Sequence, residues 1–300
     1  MTEKAILFGP VIGELFWEFA RFSPMLPYYY KKYHKQNVKF IIMTRPDRFD
    51  MYGQYADILV PLRIDGDGTK YKADCFRLMK YSNEEYKKLI KRFNKQYKKR
   101  FQILEHIYPK LENKGYAKKQ QFPKNKMKFR WKPRIENEQV LNSYIPNDKP
   151  LIVLASRYRK GLRRNWPYWN QLYDLIYNSK LMNKYNFVIC GKEPDYIPDK
   201  EKRFYDINNI KSTKGISTIG LTIESIKKSI LTVGSQSGIP NISLLLGIET
   251  ITWGHQRNLH TKVYNIKKTP IHFLDDIKYN LEPEKIFDKM IKVLQNKNNN

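Results

Sequence analysis

The sequence predicts an α/β protein of two Rossmann-like domains, each a parallel sheet with helices on its faces. Three observations predict it. Short apolar runs that read as buried strands alternate with amphipathic stretches along the whole chain. At 300 residues the chain exceeds the usual size of one domain, and a hydrophobic content of 41% suffices for two cores. A stretch of turn or linker composition, Pro146-Asn147-Asp148-Lys149-Pro150, separates two such alternating halves. The expected domains are therefore 1–148 and 149–300.

In the first half, Lys4 to Phe8 and Val38 to Met43 read as buried strands flanking an amphipathic helix from about Leu15 to Lys35. Ile58 to Leu62 reads as a third strand, so the chain opens as a βαβ unit. From Ser82 to Leu111 apolar and aromatic residues recur at helical spacing, among them Tyr86, Phe93, Tyr97, Phe101, Ile103 and Ile107, as they do on a core-facing stripe. Lys114 to Arg134 is basic and aperiodic and reads as a loop. Together these residues predict a basic, helical insertion over about 70–135 in the first domain.

In the second half, Leu151 to Ala155 is a strand, Tyr168 to Ser179 a helix, and Asn186 to Cys190 a strand ending at Gly191. A further strand from Leu231 enters the small-residue turn Gly234-Ser235-Gln236-Ser237-Gly238, then an apolar helix from about Ile239 to Leu246 and a strand from Glu249 to Trp253. A terminal helix over about 283–295 carries Ile286, Met290 and Leu294 on one side, and the Asn-rich tail beyond it is expected to be disordered.

The turn from Gly234 to Gly238 carries the best chemical clue. A strand that runs through Gly and Ser into a helix aims free backbone N–H groups at whatever lies above it, which suits a phosphate. Gly at such a turn also lets a helix pack closely on a sheet without any ligand. Both readings stand at this level.

Charge adds a second clue. The formal net charge is +27, and about twenty Lys or Arg lie between Arg77 and Arg134 against Glu84, Glu85, Glu105 and Glu112. An anionic partner, membrane or nucleic acid, fits this stretch, and so does AT-rich coding bias, which enriches Lys, Asn, Ile and Tyr without a ligand. Cys75 and Cys190 match no disulfide framework or zinc spacing, which points to a reducing, cytoplasmic setting. Glu14 and Glu18 within the apolar run Ala5 to Phe22 argue against a signal peptide, and no long uncharged apolar run follows. The expected location is cytoplasmic, with peripheral contact at the inner face of the membrane as an option. The five histidines have no metal spacing, and neither GxGxxG nor GxxxxGK[ST] occurs, so nicotinamide oxidoreduction and ATP hydrolysis fall behind.

Three segments resemble GT-B glycosyltransferases, in particular the heptosyltransferase-like group of family 9. Phe8 to Pro27 places Gly13-Glu14 where those enzymes have Gly-Asp at the start of the first helix. Leu151 to Trp169 is similar to their strand, basic loop and Lys/Arg-x-Trp-Pro before a helix. Gly234 to Gly254 is similar to their Asp-Ser/Thr-Gly-x-x-His turn and later strand ending in Gly, with Gln236 in place of the acid and Asn241 in place of the His. The resemblance implies a GT-B-like fold of two facing Rossmann-like domains, the first taking the acceptor and the second a nucleotide sugar, with inversion at the anomeric carbon.

It also implies site residues. Glu14 would be the general base on the acceptor hydroxyl, since a carboxylate can be held within reach of a nucleophile, with Glu18 on the same helix face in reserve. Read from the residues alone, a first-turn acid that complements the helix dipole is an equal alternative for Glu14. The donor would be bound without metal or cofactor by Gly13, by Arg157, Lys160, Arg163 and Arg164 of the basic loop, and by Gln236, Ser237, Gly238 and Asn241, with the loop cations and the helix N-terminus neutralising the leaving diphosphate. A solvated loop is the alternative for the Arg/Lys run. Gly191, Lys192 and Glu193 would lie by the nucleoside, on fold analogy alone, and Gly254 and His255 at a strand end beside it. The acceptor would be a glycan or lipid-linked sugar. Two other readings remain open: a phage-type DNA-base glycosyltransferase that uses the basic stretch, and a catalytically inactive protein of this fold that binds nucleic acid or anionic membrane.

Overall fold

The computed structural model describes residues 2–12, 16, 18–62, 83–109, 135–156, 165–191, 204–207, 210 and 218–298. Contacts divide the chain into two units, Met1–Arg134 and Ile135–Asn300. Among the described residues ten strands make two sheets, and every strand pairing is parallel.

The first unit holds β1 (Lys4–Phe8), β2 (Val38–Thr44), β3 (Ile58–Pro61) and β4 (Gln102–Ile107) in the order β3-β2-β1-β4. Side chains alternate across β1, so its two faces meet different partners. Ala5 and Leu7 pack with Tyr86, Phe93 and Tyr97 of helix α2 (Asn83–Lys98). Phe8 on the other face meets Phe22, Phe40 and, edge-on at 5.5 Å, Tyr29 of helix α1 (Leu26–Tyr33).

The single helix expected from Leu15 to Lys35 is broken into pieces. A π-helical turn covers Glu18–Phe22, a 3-10 turn Ser23–Met25, and only then does α1 begin. Pro24 and Pro27 have no N–H to give to the preceding turn, which prevents a continuous ladder. The helix expected to run on to Leu111 is also corrected. It ends at Lys98, closed by Arg100 and Phe101 N–H groups donating to the Tyr97 carbonyl, and Gln102 N–H then donates to Glu3 O and brings the chain onto β1 as β4. Residues 83–107 thus contribute part of the sheet and core of the first unit.

The second unit has β5 (Leu151–Ala155), β6 (Asn186–Cys190), β7 (Tyr205–Asp206), β8 (Ser229–Ser235), β9 (Thr250–Gly254) and β10 (Ile271–Asp275) in the order β10-β9-β8-β5-β6-β7. The chain starts at β5 in the middle, builds outward through β6 and β7, then returns to the other side of β5 for β8, β9 and β10. This is the doubly wound order, and its point of reversal lies between β5 and β8. β5, β6 and β9 are buried at every position, as parallel strands covered on both faces must be.

Its helices are α3 (Ile135–Tyr144), α4 (Trp169–Tyr177), the single turn α5 (Leu181–Lys184), α6 (Thr218–Lys228), α7 (Gly238–Leu246) and α8 (Pro283–Asn298). Helix α3 belongs to this unit: Lys228 Nζ of α6 lies 3.2 Å from Glu138 and 2.5 Å from Asn142 Oδ1. The Pro146–Pro150 stretch is an internal turn of the same unit, tied to β6 where Asn186 Nδ2 donates to Pro146 O at 2.8 Å and to Asp148 Oδ1 at 2.9 Å. The boundary expected at 148 therefore falls earlier, before α3. Three fully buried rings, Trp166, Trp169 and Trp253, meet with centroids 4.9 to 5.6 Å apart and join the start of α4 to β9. Each such ring withdrawn from water contributes roughly 2–3 kcal/mol.

Candidate active site

In the second unit the candidate site is the carboxyl end of the sheet, at the reversal between β5 and β8. Glycines let the strand ends crowd together there. A Cβ on Gly234 would lie 2.6 Å from Ala155 Cβ, and a Cβ on Gly191, at φ +154°, would lie 2.0 Å from Ser156 O. Gly191 thus closes β6 onto β5. Beyond Gly234, Ser237 is extended at the start of α7 and its side chain makes no capping bond, so the first-turn N–H groups are not covered by a cap. Ser237, Gly238 and Ile239 are half-buried, whereas Ser235 and Asn241 are buried. Asn241 Nδ2 donates to Ser237 O at 3.0 Å, while Asn241 Oδ1 and Ser235 Oγ have no hydrogen-bond partner among the described residues. Two orphaned polar atoms thus lie at the root of an uncapped helix N-terminus.

Gln236 has an internal role. It is 4% exposed, and its Oε1 accepts from the backbone N–H groups of His255 and Gln256 at 3.1 and 3.2 Å. Its Nε2 donates to Gln256 Oε1 at 2.6 Å. The Tyr279 hydroxyl lies 3.2 Å from both Gln236 Oε1 and His255 Nδ1, with one proton to give. The side chain that stands in the place of the family's acid therefore laces the β8 turn to the β9 turn, and Gly254 makes room for it. His255 is exposed at the end of β9. Gln256 and Tyr279 were not legible in the sequence; no motif marks them, and they join the site through contacts far apart in the chain.

In the first unit the corresponding strand ends hold a stapled turn. Gly9 N–H donates to Ile107 O at 2.7 Å and Val11 N–H to Met43 O at 2.9 Å; the Gly9–Pro10 peptide is cis. Gly9, at φ +101°, leaves no room for a Cβ, which would fall 2.3 Å from Met43 O. His106 Nε2 lies 2.8 Å from Gly9 O, and the Tyr86 hydroxyl is 2.8 Å from Pro10 O and 2.9 Å from Pro109 O. Burial pushes the His106 pKa down, and its bond to Gly9 only partly opposes this.

Glu18 does not have the surroundings of a base. It is completely buried, and its Oε1 accepts from Tyr52 at 2.6 Å and Thr44 at 2.7 Å. Arg48 Nε lies 3.8 Å from Oε2, and Arg45 and Arg48 are themselves buried, both within 4 Å of Asp47. Burial raises the Glu18 pKa, with Arg48, then Tyr52, Thr44 and Arg45, working against it. The reserve assignment of Glu18 as general base is thereby corrected: it is an internal anchor that fixes the π-turn to β2, out of reach of an acceptor hydroxyl. Gly13, Glu14, Arg157, Lys160, Arg163, Arg164, Lys192 and Glu193 lie outside the described residues.

No protein-family model matches the sequence, and no curated protein matches it. Among solved structures the chain is similar to an E. coli ADP-heptose LPS heptosyltransferase II, with a TM-score of 0.60 at 11% identity over 99% of each chain. The fold is GT-B-like. A glycosyl transferase of family 9 from Veillonella parvula gives a TM-score of 0.57 at 11% identity, covering 98% of this chain and 97% of that one. A UDP-GlcNAc 2-epimerase from Neisseria meningitidis, bound to UDP-GlcNAc, gives 0.50 at 10% identity, covering 97% and 91%. Likeness at such identities speaks to fold, and the same fold serves transfer in one neighbour and epimerisation in another.

Proposed function

We propose that the protein is a glycosyltransferase that moves a sugar from a nucleotide-sugar donor to a glycan or lipid-linked acceptor, with inversion and without a bound metal. The observation that carries this reading is the uncapped N-terminus of α7 at the β5/β8 reversal, with the orphaned Ser235 and Asn241 atoms at its root. A diphosphate placed there would accept from the Gly238 and Ile239 N–H groups and from the Ser237 hydroxyl, and the helix dipole would favour its charge. The solved neighbours named for ADP-heptose and UDP-GlcNAc both handle a nucleoside diphosphate sugar, which supports the same ligand class here.

In the proposed reaction Glu14 takes the proton of the acceptor hydroxyl as that oxygen bonds to the anomeric carbon. The bond from that carbon to the diphosphate oxygen breaks, and the electron pair leaves with the nucleoside diphosphate. Arg157, Lys160, Arg163, Arg164 and the α7 N–H groups would hold the growing charge. His255 would contribute a donor from the end of β9, and Lys192 and Glu193 would contact the nucleoside. The internal engagement of Gln236 favours a second reading, a protein that binds the nucleotide without transferring the sugar.

Calorimetric titration with ADP, UDP and GDP, each with and without EDTA, tests the site. The expected result is EDTA-insensitive binding of one nucleotide that Ser237→Glu abolishes by setting a carboxylate against the diphosphate. Failure of all three nucleotides to bind would overturn the site. Binding without release of nucleoside diphosphate from any nucleotide sugar, with or without acceptor glycans, would leave the second reading.

A further inference from the structure

The outer face of α2 carries a charge pattern that the proposed transfer does not use. Tyr86, Phe93 and Tyr97 turn inward to the sheet, while Lys87, Lys88, Lys91, Arg92 and Lys95 stay exposed on the opposite side and Lys99 stays exposed just past the end of the helix. None of the six has an ion-pair or hydrogen-bond partner among the described residues. Some lysines elsewhere do find acids: Lys32 with Glu105, Lys39 with Asp57, Lys297 with Glu249. Lys87, Lys91 and Lys95 follow one another at intervals of four, an arrangement in which like charges on a helix repel. Repulsion of this kind is relieved when the row lies against a polyanion.

The shape of the row says which polyanion. It runs along the helix for roughly 12 Å at 1.5 Å per residue. The aromatic rings of α2 are committed to the core, so this face has no ring on which a base could stack, as single-stranded nucleic acid binders provide. It likewise has no apolar side chain to insert below a headgroup layer. A line of lysine point charges with nothing between them matches a flat lattice of phosphates.

We propose that the exposed face of α2 is a docking surface for an anionic bilayer, held by lysine contacts to phospholipid headgroups and independent of sugar transfer. Attraction of this kind adds up over the cations near the surface and fades with salt.

Sedimentation of the full chain with phosphatidylcholine vesicles, with and without phosphatidylglycerol, tests it. The expected result is binding only to the vesicles that contain phosphatidylglycerol, falling steeply as salt is added. Lys87→Glu, Lys91→Glu and Lys95→Glu combined should weaken it on the order of a hundredfold. The same positions changed to Gln provide a milder variant should reversal impair folding, checked by circular dichroism. Lys278→Glu, Lys285→Glu and Lys292→Glu, exposed in the second unit, change net charge equally and should leave binding nearly intact. Equal loss in both triple variants would overturn the proposal, since net charge alone would then explain binding. Retention of short DNA in place of vesicles would overturn it in favour of a nucleic-acid partner.

Discussion

Gly254 and Gln236 share one volume: a Cβ on Gly254 would stand 2.3 Å from Gln236 Oε1 and 2.7 Å from Gln236 Cβ. Since that oxygen also receives the His255 and Gln256 N–H groups, the glycine is what allows the β8 and β9 turns to be joined. Gly254→Ala is expected to destabilise the fold by about 1–3 kcal/mol through overpacking, read as a lower denaturant midpoint in chemical unfolding.

Gln236 itself separates hydrogen bonding from volume. Gln236→Leu keeps the bulk but leaves the His255 and Gln256 N–H groups without their acceptor, at a cost of roughly 1–3 kcal/mol. Gln236→Glu keeps the acceptor oxygen, and Gln256 can turn its amide to donate. Near-neutral stability is therefore expected for the Glu variant and a clear loss for the Leu variant; equal midpoints would remove Gln236 from the lacing of the two turns.

Glu18 predicts a pH dependence of definite sign. Burial raises its pKa in the folded protein, so the neutral acid is the form the fold favours. Its contribution is fully present below the carboxylate range and is lost as pH rises through the raised folded value. Glu18→Gln cannot ionise. The stability of the wild type relative to this variant should therefore fall as pH increases, measured by denaturant midpoints from acid to neutral pH.

His106 predicts the opposite sign. Its pKa is lowered by burial, so the stability linked to the neutral ring is present above the ordinary histidine value and is lost as pH falls through the lowered one. In an NMR titration its ring signals should move at a lower pH than those of a solvated histidine. His106→Phe should loosen the Gly9–Pro10 turn, seen as faster amide exchange at Gly9 and Val11.

The sheet cores were legible because parallel strands covered on both faces are written as unbroken apolar runs, as in Leu151–Ala155 and Asn186–Cys190. β4 was not. Its sequence QILEHI puts Glu105 and His106 inside an edge strand, and Ile103 and Ile107 continue the helical spacing set by Phe93 and Tyr97, so local pattern cannot show where the helix stops. The candidate site was half legible. The Ser237–Gly238 turn shows itself through the chemistry of its small residues. The burial of Glu18 against Thr44 and Tyr52, and the ties of Gln236 to Gln256 and Tyr279, depend on segments brought together only by folding.

The order in which the chain adds strands around β5 matters while the protein is being made. When a ribosome has delivered β5 and β6, one side of β5 is paired and the other is bare, and its partner β8 does not exist until the chain has been extended from Cys190 to Ser229. A wholly apolar strand with an unpaired edge is a template for joining a second copy of itself. Nascent chains that stall in this interval, and truncated fragments of the second unit ending before Ser229, are the species of this protein that should aggregate, and a chaperone has most reason to hold them.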